Sequence, residues 1–496
     1  MHSDDSRLAW GALMPGIAAH PIEGWLAEMV AHGVESVCLF SDAVGSPERT
    51  RDTVRALRAV APDLLIATDE EGGEVTRLEP LTGSSVLSPL ALGVIGDVEV
   101  TRATGRIIGR MLRASDVDWT FAPVADVNVD PRNPVIGVRS FGSDAVAAAA
   151  HVAAMIDGLQ SVGVLATAKH FPGHGDTHVD SHEDLPVLDV DPSLFVDREL
   201  SPFRTAVAAD VAAVMTGHLL VPALDPYLPA SLSRRITTDL LRHELGFDGV
   251  VVTDAVEMGA VAGADRANLP AAVVAALNAG ADVVCLGAAD QRSALETSAD
   301  AVARALSDGT LDRDRLVVAA RRRRLLRERL ARTVSSSTAE TDAELIARAA
   351  ASSLTVRGDV DLRATEVDVL RVSATPGYAA GATRWGVAPH LSGLGFDARE
   401  VATVPEASGR ALVIEVRDAW KSPDLMAAVD EAAARRPDAV IVDAGWPSPA
   451  LPPTRGSITT HGSGNLASLL AAHRLAGTDP HDAVLATLTA IDLELT

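Results

Sequence analysis

Through the first 330 residues, short apolar runs alternate with longer amphipathic ones. That alternation is the pattern of strands joined by crossover helices. Strands are predicted at GALMP from Gly11, ESVCLF from Glu35, DLLIATD from Asp63 and VDWTFAPV from Val117. Further along, VLATAKH from Val164, AAVMTGH from Ala212, GVVVTDA from Gly249 and ADVVCLG from Ala281 repeat the pattern. Their near-continuous apolar character fits parallel strands covered on both faces. Eight such units predict a closed (β/α)8 barrel of the TIM type, with a doubly wound open sheet as the alternative.

Polar residues gather where these strands end: Asp69 to Gly73, Asp126, Lys169 with His170, His218 and Asp254. In a barrel those ends ring one mouth, where the fold builds its active sites. Turns after strands are often polar in any case, so the clustering needs chemistry behind it.

Past the barrel, RRRRLLRERL from Arg321 reads as the solvated face of a helix rather than a nucleic-acid patch. TVSSSTAETDAE, from Thr333, reads as a linker running into another helix. Strands at SLTVRG from Ser353, VDVLRVSA from Val367, ALVIEV from Ala411 and DAVIVDAG from Asp438 then predict a second, smaller domain. Helices at SPDLMAAVDEAAARR and NLASLLAAHRLAG make it α/β and sandwich-like. The expected division is a catalytic barrel over 1–332, a linker and connecting helix over 333–350, and the smaller α/β domain over 351–496. The loop THGSGN from Thr460 has no Walker lysine or dinucleotide fingerprint and reads as structural support.

Charge narrows the partners. With 43 Lys plus Arg against 67 Asp plus Glu, the formal charge is -24, which argues against nucleic acid. No segment reaches the roughly 18 unbroken apolar residues of a membrane span. The first residues are acidic where a signal peptide would be basic, and the two cysteines, Cys38 and Cys285, sit in apolar strand-like runs. A cytoplasmic protein is expected, and its oligomeric state is not legible.

The densest chemistry lies in AKHFPGHGDTHVDSHEDLP, Ala168 to Pro186, which holds four of the fourteen histidines at His170, His174, His178 and His182. Spacing by four would bring them together on a helix, as in zinc motifs. Pro172, Gly173 and Gly175 break any such helix, so a metal site is the lesser reading. Asp180 and His182, two apart, can instead pair so that the carboxylate fixes the imidazole and favours its charged form. Such a histidine suits general acid and base work but needs a substrate-facing partner. Asp254, closing the strand in GFDGVVVTDAVEMGA, can be that partner as a nucleophile at an anomeric carbon, with helix capping as the simpler alternative.

Taken together, AKHFPGHGDTHVDSHEDLP and GFDGVVVTDAVEMGA resemble glycoside hydrolase family 3, in particular its β-N-acetylglucosaminidase branch. DEEGGEVTRL, DWTFAPVADVNVDPRNPVIGVRSFG, MTGHLLVPALDP and PASLSRRITTDLLRHELGFDGV extend the similarity over about residues 10 to 330. The resemblance implies that Asp254 is the nucleophile of a retaining reaction, that His182 is the acid/base and that Asp180 is its partner. It also implies sugar binding by Lys169, His170 and Asp69, with Arg77 and Arg139 in the pocket. His174 fits the family pattern, whereas His178 falls at a variable position. Two departures stand out: Ala255 where the family often has a second aspartate, and Glu74 where E-G-G-R-V has arginine.

The implied activity is release of terminal β-linked N-acetylglucosamine from small peptidoglycan- or chitin-derived saccharides, in the setting of cell-wall recycling. The alternative is phosphorolysis with the same Asp–His pair, since a histidine repels incoming phosphate less than a carboxylate would. Lesser alternatives are a non-catalytic sugar-binding protein and a metal-dependent barrel hydrolase. The chemistry calls for no cofactor and no metal, and the expected partner is a small carbohydrate.

Overall fold

The computed structural model describes residues 4–18, 24–40, 43–182, 184–263, 267–288, 291–330, 338–375, 377, 379–405 and 409–493. All eight predicted barrel strands are present: β1 (Leu13–Met14, continued by Gly16–Ile17), β2 (Ser36–Leu39), β3 (Leu65–Thr68) and β4 (Trp119–Thr120), followed by β5 (Thr167–Phe171), β6 (Ala213–Thr216), β7 (Val250–Thr253) and β8 (Val284–Cys285). Each is shorter than its apolar run, because the run continues into the loop that leaves the strand.

Proline divides β1. Pro15 lacks an N–H, and the halves on either side of it turn to different neighbours. Leu13 and Met14 pair with Val284 and Cys285 of β8, while Gly16 and Ile17 pair with Cys38 and Leu39 of β2. The split first strand thus joins the two ends of the ring. Parallel pairing continues from β2 to β3 to β4 and from β5 to β6 to β7. Parallel bridges Trp119–Leu165 and Val124–Lys169 link β4 to β5, and Val252–Val283 links β7 to β8.

Alternation along the strands divides the core in two. Cys38, Ala67, Trp119, Met215, Val252 and Cys285 fill the barrel interior, where Trp119 Nε1 donates to Thr167 Oγ1 at 2.6 Å. Val37, Leu39, Ile66, Val214 and Val251 face outward under the helices. Both cysteines are buried free thiols.

The arginine-rich helix Arg313–Arg329 corrects one expectation. Arg321 and Arg324 are exposed, but Arg323 is buried, donating to Asp282 O at 2.9 Å and Glu35 Oε2 at 2.9 Å. Arg242 and Arg315 converge on the carboxylate of Asp282, at 2.5 and 2.9 Å. A buried carboxylate at this end of the barrel needs such donors; this helix supplies Arg315, and helix Arg235–Glu244 supplies Arg242.

The second domain is a six-stranded sheet with helices on both faces. Its strands are β9 (Thr355–Gly358), β10 (Glu366–Ser373), β11 (Asp397–Val401), β12 (Ala411–Arg417), β13 (Val440–Asp443) and β14 (Gly456–Thr459), in the order β9-β14-β13-β12-β10-β11. Only the β9–β14 pair is antiparallel. Sequence reading missed β11 and β14. Their residues, DAREV and GSIT, carry too few apolar side chains to stand out, because β11 lies at the sheet edge with its side chains largely in water.

This domain and the connecting helix share a core with the barrel: Ile346 of that helix and Leu466, Leu470, Val484 and Leu488 of the domain belong to the cluster that packs around the barrel helices. The loop predicted as support forms part of the seam, where Ser88 Oγ donates to His461 O at 2.6 Å and Leu466 N donates to Ser84 O at 3.1 Å. Helix Ala339–Ala350 is tied to the barrel by Asp342, almost fully buried and paired with Arg106 and Arg110 at 2.6 Å each. Removing one member strands the other charges. Asp342→Ala should therefore destabilise the protein by about 3–5 kcal/mol, read as a lowered midpoint of chemical unfolding; a loss under about 1 kcal/mol would mean the cluster behaves as surface charge.

Candidate active site

The barrel mouth is organised around one buried acid. Glu71, in the turn after β3, accepts two hydrogen bonds from Arg139, at 2.8 Å each, and lies 2.6 Å from Lys169 Nζ. Lys169, at the end of β5, also reaches Asp69 Oδ1 at 2.8 Å. Burial alone would raise the pKa of Glu71, but the charges of Arg139 and Lys169 hold it well below the usual range. Burial likewise opposes the Lys169 cation, and Asp69 with Glu71 more than restores it. Asp69, Lys169 and Arg139 are thus fixed by Glu71, which sequence reading did not single out although it lies inside DEEGG.

The neighbouring Glu70 shapes the same turn. Its Oε2 accepts from Thr76 Oγ1 and from the backbone N–H groups of Arg77 and Leu78, at 2.9 to 3.0 Å. Burial pushes its carboxyl up to about 8. Arg77, leaving that turn, sits 3.9 Å from Asp69 and donates to Ala379 O of the second domain at 2.8 Å.

The four regularly spaced histidines have four separate partners. His170 Nδ1 pairs with Asp126 Oδ2 at 2.7 Å, and Asp126 Oδ1 accepts from the backbone N–H of His170 and of His174. His174 Nδ1 meets Thr177 Oγ1 at 2.7 Å, and burial lowers its pKa to about 4, leaving the ring neutral. His178, exposed, lies 3.1 Å from Asp130. His182 Nδ1 meets Asp180 Oδ1 at 2.7 Å, and the same oxygen accepts the His182 backbone N–H at 2.9 Å. Among the described residues no three His, Cys, Asp or Glu side chains are grouped to hold a metal ion.

The glycines in this loop serve packing. Gly173 has φ 127°, and a Cβ there would lie 2.8 Å from Glu199 Oε2; a Cβ on Gly175 would lie 2.0 Å from Val127 O. Glycine lets the backbone press against the barrel rim before running out to Asp180. The loop then docks on the far side, where Ser181 O and His182 O accept from Ala260 and Gly259 N–H at 3.3 Å each.

Burial opposes a charge on His182, but the Asp180 hydrogen bond and the charges of Asp254 and Asp180 outweigh it and raise its pKa. Asp254 ends β7. Burial would raise its carboxyl, yet the charges of His170, His218 and His182 and the N–H of Ala255 bring it down to about 2. That N–H donates to Asp254 Oδ1 at 2.8 Å. His218, at the end of β6, ties the next peptide: its Nε2 lies 3.1 Å from Ala255 O and its Nδ1 2.7 Å from Ser231 Oγ.

Asp69, Arg77, Arg139, Lys169, His170, His182 and Asp254 all line one cavity of about 360 Å³, and Asp180 stands behind His182. Every candidate from the sequence therefore comes together at the mouth. Asp126 and His218, noted in the sequence only as polar strand-end residues, act one step behind the cavity, whereas Glu71, which nothing but its place in the same polar cluster marked, lines it. A separate cavity of about 550 Å³ lies at the opposite end of the barrel, bounded by Leu165, Val250 and Arg322.

A strand-end carboxylate held ionised and a carboxylate-paired histidine, lining one pocket at the barrel mouth, are groups that glycoside cleavage can use. The chain belongs to glycosyl hydrolase family 3: the model of that family's N terminal domain matches residues 18–327. It is 38% identical over 285 residues to a beta-hexosaminidase of Stenotrophomonas maltophilia, a match covering 55% of this chain and 82% of the relative. It is 34% identical over 307 residues to beta-hexosaminidase A of Pseudoalteromonas piscicida, covering 57% of this chain but only 49% of that longer relative. Among solved structures, a glycoside hydrolase family 3 beta-N-acetylglucosaminidase from Paenibacillus superimposes with a TM-score of 0.86 at 32% identity. That likeness covers 96% of this chain and 97% of the other, and so includes both domains.

The electrostatics of the pair can be checked directly. Asp180→Asn removes the charge and the best acceptor for the imidazolium, so the His182 pKa should fall. NMR titration of its ring carbons measures this; an unmoved value would contradict the assigned cause.

Proposed function

We propose that the protein is a retaining β-N-acetylglucosaminidase acting on small chitin- or peptidoglycan-derived saccharides. The observation that carries the reading is that Asp254 and His182 border the same cavity, whose wall is formed by Asp69, Lys169 and His170. Asp69, Lys169 and His170 hold the hydroxyls of the terminal sugar, and Arg77 and Arg139 complete the pocket. With Nδ1 held by Asp180, Nε2 is the nitrogen that serves the substrate.

In the first step the Asp254 carboxylate attacks the anomeric carbon while the His182 imidazolium gives its proton to the departing oxygen. Asp180 stabilises that imidazolium beforehand and orients the ring. Once neutral, His182 takes a proton from water, which attacks the glycosyl ester, frees Asp254 and returns β product. Neither step calls for a metal or a cofactor. Two buried free thiols support a reducing, cytoplasmic setting, and cell-wall recycling is the role we place there.

Hydrolysis is preferred to phosphorolysis because the named relatives are hexosaminidases and an acetylglucosaminidase. Saturating inorganic phosphate should yield no N-acetylglucosamine 1-phosphate; its accumulation as main product would overturn hydrolysis. Asp254→Ala should reduce turnover of an aryl β-N-acetylglucosaminide to background with the fold intact, and undiminished activity would remove the nucleophile assignment. His182→Ala should lose about 10²–10⁴-fold on a disaccharide, and far less on a nitrophenyl glycoside, whose leaving group departs without a proton. Equal losses on both would refute a role in leaving-group protonation.

The pH profile follows from the two shifts. Asp254 is ionised above about 2, while the first step needs His182 protonated, so kcat/KM should fall as pH rises through the elevated His182 pKa. Asp180→Asn should move that basic limb to lower pH; a limb that stays in place would assign it to another group.

A further inference from the structure

Beyond His182 lies a second space of about 980 Å³, walled by both domains. It shares Val135, Arg139, His182 and Ala379 with the sugar pocket, so a glycoside whose scissile oxygen meets His182 places its leaving group there. Acids and bases on its wall balance, Glu74, Asp180 and Asp418 standing against Arg139, Arg417 and Lys421. Charge therefore does not choose the occupant. Volume says more: the space is over twice the 360 Å³ of the pocket that takes one sugar, which is room for two further rings.

The space does not end there. A third cavity of about 490 Å³ is bounded by Val129 to Arg132, Asp176, Trp420 and Pro449. The same three segments of chain line both compartments. The barrel loop passes from Arg132 in the third to Pro134 in the second, the histidine loop from Asp176 to His178, and the second domain from Trp420 to Lys421. His178 and Asp130, 3.1 Å apart, bridge the two walls. Sugar pocket, second space and third cavity thus follow one another as a single groove along the domain seam.

Trp420 sets the character of the far compartment. Its Nε1 donates to Trp446 O at 3.3 Å, so the half-buried indole meets the cavity with carbon alone. Lys421 Nζ stands 5.7 Å from the ring centre and is itself tied to Asn133 O at 3.2 Å and Asp418 Oδ2 at 3.3 Å, which steadies the ring. Around it, Asp130 pairs with Arg132 and Asp176 with Arg198. A flat apolar ring among polar groups matches a pyranose, whose C–H bonds pack on an aromatic face while its hydroxyls reach the polar rim.

We propose that Trp420 is a stacking platform for a distal sugar of the leaving group, so that linear β-linked saccharides bind along the whole groove. The inference rests on the β-N-acetylglucosaminidase reading and adds the length of substrate to it. One ring occupies the sugar pocket, two occupy the second space, and the next reaches Trp420. A tetrasaccharide is then the shortest substrate that touches the platform.

The test compares kcat/KM for the disaccharide and the tetrasaccharide of β-1,4-linked N-acetylglucosamine, with a nitrophenyl N-acetylglucosaminide as reference. No turnover of the nitrophenyl glycoside by the wild-type protein would refute the underlying reading rather than the platform. In the wild-type protein the tetrasaccharide should be favoured over the disaccharide by about three- to tenfold. Trp420→Ala should bring that ratio close to unity, and Trp420→Phe, which keeps a smaller ring, should leave it in between. A wild-type ratio near unity, or a ratio that Trp420→Ala leaves unchanged, would overturn the proposal. Should the alanine variant fail to fold, Trp420→Phe carries the comparison, and a ratio equal to that of the wild-type protein would count against the platform.

Discussion

Glu71 is the constraint on which the barrel mouth depends. A carboxylate buried there is tolerable only because Arg139 grips both of its oxygens and Lys169 adds a third contact. The cost of leaving any member alone fixes all of them. Through Lys169 the same cluster sets Asp69, and through the adjoining Glu70 it shapes the turn that presents Arg77. Side chains from two βα loops and from strand β5 thus become one wall. Asp126 repeats the device on the other side, holding His170 by ring and backbone and anchoring the start of the histidine loop.

That rigidity divides labour between strand ends and loop. Asp254 and His170 sit on the barrel itself, where geometry is least forgiving. Asp180 and His182 lie on a loop whose departure is fixed by glycines packed against Val127 and Glu199 and whose far end rests on Gly259 and Ala260. The second domain closes the remaining side, contributing Ala379 to the sugar pocket and Arg417, Asp418 and Lys421 to the space beyond it.

The barrel was legible in the sequence because each strand is apolar on both faces and each is followed by a helix of different period. The candidate residues were legible because they stand at strand ends or in recognisable motifs. What escaped notice has physical reasons. An edge strand such as β11 has no buried face to announce it, and the inward turn of Arg323 depends on a helix docking under the barrel, which no local pattern reports. Glu71 and Asp126 look like ordinary turn acids until the three-dimensional arrangement shows which cations they hold. The fourfold spacing of histidines was the misleading feature: regular in sequence, it places four rings on four unrelated partners.

The account stands on assigning nucleophile and acid/base to opposite faces of one sugar ring. The configuration of glycosyl azides formed from an activated aryl N-acetylglucosaminide tests this most directly. With sodium azide, Asp254→Gly should yield the α-azide, since azide then attacks in the place of the missing carboxylate. His182→Gly should yield the β-azide, since azide there intercepts the glycosyl ester from the other face. Azides of the same configuration from both variants, or the two configurations exchanged, would contradict the assignment.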